Sequence, residues 1–112
     1  MPDSIVIALS TCPDDTAARR IAQTLVAEGL AACVNRIGGV TSTYLWDGEM
    51  QEAGEILLMM KTTTGRLAEL EARLKAIHPY ELPELIAVPV TGGNEGYLDW
   101  VRLSVANKDQ AK

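Results

Sequence analysis

Pro79 and Pro83, set in the run His78-Pro79-Tyr80-Glu81-Leu82-Pro83-Glu84, constrain this chain more than any other feature. A proline fixes its own φ and drives the residue before it toward extended geometry. The helical pattern upstream must therefore stop near His78, and a new extended segment must start near Pro83. The same run holds the chain's one histidine, a phenol and two carboxylates. It is the first place to look for a binding site.

The flanking segments fall into a regular order. Residues 4–11 (SIVIALST) form a short, mostly β-branched run that predicts a buried strand, ended by Pro13. Asp14, Asp15 and Thr16 supply cap oxygens and favourable charge for a helix over 16–28, with Ala18, Ile21, Ala22, Leu25 and Val26 on one face. Gly29 is placed to stop it. Residues 30–37 (LAACVNRI) open a second strand, and Gly38-Gly39 predicts a bulge or bend. Beyond it Val40, Ser42, Tyr44 and Trp46 alternate onto one face, Asp47-Gly48 signals a turn, and residues 55–62 (EILLMMKT) form a third strand. The second and third strands thus make a long hairpin. A helix over 65–77 places Leu67, Leu70, Leu74 and Ile77 on one face. Residues 85–90 (LIAVPV) are a fourth strand, which Pro89 makes an edge strand or a short one. Residues 97–105 carry helical spacing, and 107–112 read as a polar, loose tail.

Strand, helix, strand, strand, helix, strand and an extra C-terminal helix give an α+β, ferredoxin-like βαββαβ fold in one domain over 1–112. Two helices cover one sheet face. The other face keeps apolar residues and the sheet keeps open edges, which favours self-association.

Acidic residues outnumber basic ones, 15 to 10, for a net charge of −5, and no Lys/Arg stripe is present. This argues against a nucleic-acid partner. No apolar stretch approaches membrane-spanning length, and the N-terminus lacks a signal-peptide pattern, so a cytoplasmic protein without a membrane partner is expected. Cys12 and Cys33, 21 positions apart, read as two reduced thiols rather than a disulfide framework. No nucleophile elbow, Walker or Rossmann glycine pattern occurs. The residues do not assemble an enzyme.

Five pieces in order carry a resemblance: LAACVN at 30–35, TSTYLWDGEM at 41–50, EILLMMKT at 55–62, HPYELPE at 78–84 and GYLDW at 96–100. Together they resemble the CutA divalent-cation tolerance family, nearly end to end. The resemblance implies a ferredoxin-like homotrimer, similar in architecture to PII signalling proteins, in which the long hairpin of one subunit packs on the next. It also implies a role in the response to divalent metal ions, with copper binding in some members. In those members the ligands are a cysteine ending the first strand and two adjacent histidines before Pro-Tyr. Here Ser10 stands at the cysteine position with Cys12 two residues later, and Ile77-His78 stands at the histidine pair. His78 is therefore the metal candidate, and a divalent cation such as Cu²⁺ is the only cofactor the resemblance suggests.

Each candidate has a plainer reading beside the functional one. His78 is a metal ligand, or a partly exposed residue meeting the negative end of a helix. Glu81 and Glu84 accept a hard cation, or are simply solvated. Trp46, Tyr80, Tyr97 and Trp100, with Ser10, Cys12 and Lys61, line a cleft or a subunit interface, the interface ranking first for the tryptophans. The alternative to a trimeric metal-response protein is an enzyme or small-ligand sensor with its site in an inter-subunit cleft. As an enzyme it would need His78 as general base, oriented by Glu81 or Glu84.

Overall fold

The computed structural model describes residues 3–106. It contains β1 (Ile5–Cys12), α1 (Asp15–Ala27), β2 (Cys33–Trp46), β3 (Glu49–Thr63), α2 (Leu67–Ile77), β4 (Ile86–Pro89) and α3 (Glu95–Ser104). The four strands form one antiparallel sheet in the order β2-β3-β1-β4. This is the α+β, ferredoxin-like arrangement the sequence predicts, with the C-terminal helix added. The tail at 107–112 lies outside the described residues.

Local chemistry sets the boundaries. The Asp14 carboxylate accepts from the Ala17 N–H at 2.8 Å and caps α1, and Asp15 adds negative charge in the first turn. At the far end of α2, His78 takes ψ 140°, as the following proline requires. The Asp47-Gly48 turn has both central residues at positive φ, 52° and 80°, so the strands meet in a two-residue hairpin at Trp46↔Glu49. The register between β2 and β3 slips once, between Ile37 and Val40, where Gly38-Gly39 was expected to bulge.

Two differences from the sequence expectation have physical causes. The third strand begins at Glu49, not near residue 55. Residues 49–54 have weak strand character, but pairing with residues 41–46 holds them extended. The second strand begins at Cys33 because Leu30 and Ala31, 6% and 1% exposed, are anchored in the core as a connector.

Alternation along the strands separates the two sheet faces. Ala8, Cys12, Leu58 and Met60 face α1 and α2 and pack with Ala18, Ile21, Leu25, Leu70 and Leu74. Burying each larger aliphatic side chain there stabilises the fold by about 1.5–3 kcal/mol. On the opposite face α3 covers only one end, packing Leu98, Val101 and Val105 against Ile5 and Ala32. The rest of that face carries half-buried Ile7, Leu9, Leu57 and Met59, rimmed by exposed Ile37, Ile86 and Val88. Strands β2 and β4 are its free edges.

Candidate functional site

The HPYELPE corner joins α2 to β4 and is tied to the end of β1 by its histidine. His78 is 8% exposed, not partly exposed as a helix-end residue would be. The Tyr80 N–H donates to Nδ1 at 3.0 Å, so the neutral ring carries its proton on Nε2, which donates to the Thr11 carbonyl at 2.8 Å. Cys12 Sγ lies 3.8 Å from the same nitrogen. Both ring nitrogens are thus engaged, and a metal at this imidazole would have to displace a hydrogen bond.

With the corner held this way, the Tyr80 ring packs on His78 with centroids 4.9 Å apart, and its hydroxyl donates to Glu55 Oε2 at 2.7 Å. A groove of about 1000 Å³ opens beside this bond. The hairpin supplies Tyr44, Trp46, Gln51 and Glu55 to one wall. Pro79, Tyr80, Glu81, Leu82 and Glu84 form the other, with Thr11 between them. The hairpin wall is the alternating face read from the sequence, because Val40, Ser42, Tyr44 and Trp46 pair opposite Glu55, Ala53, Gln51 and Glu49.

The charges in the groove are set by its packing. Burial works to raise the Glu55 carboxyl, but the hydroxyls of Ser42, Tyr80 and Thr11, helped by nearby His78, outweigh it and hold the group below the ordinary carboxylate value. Burial, the Glu55 hydrogen bond and the Glu55 charge push the Tyr80 phenol up, so it remains a donor. Burial, then the charges of Glu55 and Asp14, raise the Cys12 thiol to about 11.

The structure divides the sequence candidates into two groups and leaves two beneath them. Trp46, Tyr80, Glu81 and Glu84 meet in the groove. Lys61 lies six residues beyond Glu55 along β3, roughly 20 Å away, at the end covered by α3, which carries Tyr97 and Trp100. There Lys61 Nζ donates to the Tyr97 hydroxyl at 3.3 Å, and the Tyr97 and Trp100 rings sit 5.5 Å apart. Ser10 and Cys12 are fully buried, and the Ser10 hydroxyl has no hydrogen-bond partner among the described residues. The general-base arrangement that an enzyme would need does not form. Tyr80 N–H and Thr11 O orient His78, and neither Glu81 nor Glu84 bonds to it. Sequence reasoning missed Glu55. Its signal was a carboxylate at the head of an otherwise apolar strand, opposite Val40 in the hairpin.

Cys12 and His78 do not make a nucleophilic pair. The nitrogen nearest the thiol carries a proton, and the thiol is buried with a raised pKa. A shift from 9.0 to about 11 leaves about one hundredth of the ordinary thiolate. In Cys33→Ser, Cys12 should therefore react with a thiol reagent at pH 8 at least about 100-fold more slowly than free cysteine, and at the free rate after denaturation. Rapid native labelling would show that the β1 end opens.

A ferredoxin-like sheet with an overlong β2–β3 hairpin and a Pro-punctuated corner against β1 defines a small class of α+β proteins. The family described as CutA1 divalent ion tolerance protein matches residues 6–104, and the chain belongs to it. It is 51% identical over 96 residues to a divalent-cation tolerance protein CutA of Thermus thermophilus, covering 86% of this chain and 93% of that one. It is 44% identical over 102 residues to the human protein CutA, covering 91% of this chain but 57% of the longer human sequence. Among solved structures, CutA1 from Oryza sativa superposes with a TM-score of 0.92 at 39% identity, covering 95% of this chain and 97% of that one. The Thermus thermophilus relative is named for divalent-cation tolerance, and none of the three is named for a reaction. No helix among the described residues is long and apolar enough to cross a membrane.

Proposed function

We propose that this protein works in the divalent-cation response as a non-enzymatic homotrimer of the cytoplasm, taking up metal weakly. The observation that carries the assembly is the uncovered sheet face, where Ile7, Leu9, Leu57 and Met59 lie between two free edges. Apolar area of this kind, next to unpaired strands, is stabilised by neighbouring copies, and a ring of three covers it through heterologous contacts. The hairpin, which contributes to a longest dimension of 51 Å, reaches far enough from the body to lie on a neighbour. The divalent-cation role rests on family membership.

Weak metal uptake follows from His78. A first-row ion, Cu²⁺ above all, must replace one of the ring's two hydrogen bonds, and that cost comes off the affinity. Calorimetric titration of the purified protein with Cu²⁺ tests this, with His78→Ala beside it. Weak binding that disappears in the variant is expected. Undiminished binding to His78→Ala would move the metal elsewhere. A second reading, a small-ligand sensor, is favoured by the groove, whose carboxylates form no ion pair among the described residues.

A further inference from the structure

The groove places a negative charge with which no Lys or Arg among the described residues forms an ion pair. Glu55 is 9% exposed and accepts only hydroxyl hydrogen bonds. Among the described residues, the basic side chains of the ion pairs are Arg19, Arg36, Arg66, Arg73 and Arg102, and their partners are Asp15, Glu69, Glu28 and Asp99. None involves Glu55, Glu81 or Glu84. Those hydroxyls hold the carboxylate ionised, and an ionised acceptor at a groove wall pairs most strongly with a cationic donor.

The surroundings decide which cation fits. A divalent metal needs several oxygen ligands converging within about 2–2.6 Å. Among the described residues no three His, Cys, Asp or Glu side chains converge in that way. The groove is also far larger than an ion and falls at the upper end of the roughly 300–1000 Å³ range of small-molecule sites. Its walls are aromatic as well as acidic: Tyr44 and Trp46 from the hairpin, Tyr80 from the corner, with Leu82 beside them. Aromatic faces attract ammonium groups through the ring quadrupole, tryptophan most strongly, and tolerate the attached alkyl groups. An alkyl chain further gains from contact with Leu82 and Pro79.

We propose that this groove binds a small organic ammonium ion, its charge paired with Glu55 and its alkyl part against Trp46, Tyr44 and Tyr80. The inference goes beyond a metal response. Every lining residue comes from one chain.

Trp100→Phe leaves Trp46 as the only tryptophan, and its fluorescence then reports the groove. Titration with butylammonium chloride and with tetramethylammonium chloride should give a saturable change, and the two probes separate primary from quaternary ions. Butan-1-ol, the neutral counterpart of the first, should bind at least about tenfold more weakly. Glu55→Gln in the same background keeps an acceptor for the Tyr80 hydroxyl and should lose about tenfold or more in affinity for the ammonium probes. If that variant fails to fold, Glu81→Gln/Glu84→Gln, altering only exposed carboxylates, should still weaken ammonium binding measurably. Equal binding of butylammonium and butan-1-ol overturns the proposal, as does the absence of any saturable change. Displacement of the ammonium probe by equimolar Mg²⁺ overturns it in favour of a metal site. A Trp46 signal that follows protein concentration and ignores the probes overturns it in favour of a second copy filling the groove.

Discussion

Replacing His78 with alanine should destabilise the fold by about 3 kcal/mol. The ring is buried and serves two backbone groups at once, the Thr11 carbonyl and the Tyr80 N–H. Leaving each without its partner costs about 1–3 kcal/mol, and the vacated volume beside Cys12 adds to it. For a chain of this size the melting temperature should fall by roughly 10 °C or more. The effect should spread to the groove, because the Tyr80–Glu55 bond depends on where the corner is pinned. Trp46→Ala provides the contrast. At 62% exposure its ring contributes little to the fold of a single chain, so its effect should be confined to assembly or to ligand binding. Thermal melts followed by circular dichroism decide the point. A His78→Ala melt within roughly 2 °C of wild type would mean that the corner is held by its prolines alone.

That ordering reverses the one a reader of the sequence would choose, and the reason is instructive. A histidine after a helix and before a proline reads as a surface end-cap, since nothing nearby in sequence buries it. Its partners at Thr11 and Cys12 lie 67 and 66 positions away. The prolines told where the helix had to end, and the glycine and aspartate patterns told where the chain had to turn, because φ constraints and caps act within a few residues. The apolar alternation told which hairpin face carries Tyr44 and Trp46. It could not tell that Glu55 would meet Tyr80, since that contact requires the corner to fold back across β1. Strand residues 49–54 stayed hidden for the same reason: their extended form comes from pairing with residues 41–46, not from their own propensities. Local rules made the frame legible, while the site depends on long-range contacts between its parts.

Met59→Glu should convert the assembly from three chains to one. Met59 stands in the middle of β3, opposite Leu9 on one side and Asn35 on the other, on the face that α1 and α2 leave bare. In a lone chain that position is half open to water, so a glutamate there is tolerated and the helix-covered core is untouched. In a trimer built on this face, the carboxylate would be buried without a partner, at a cost of several kcal/mol per ion, incurred three times. Dissociation at micromolar concentration is the expected outcome, since assembly is linked to concentration by mass action. Sedimentation equilibrium should give three chain masses for wild type and one for the variant, with the far-ultraviolet circular dichroism of the two alike. Val26→Glu, at an exposed position of α1, should sediment as wild type. A trimeric Met59→Glu would remove the bare face from the interface, and a monomeric wild type would end the assembly proposal itself.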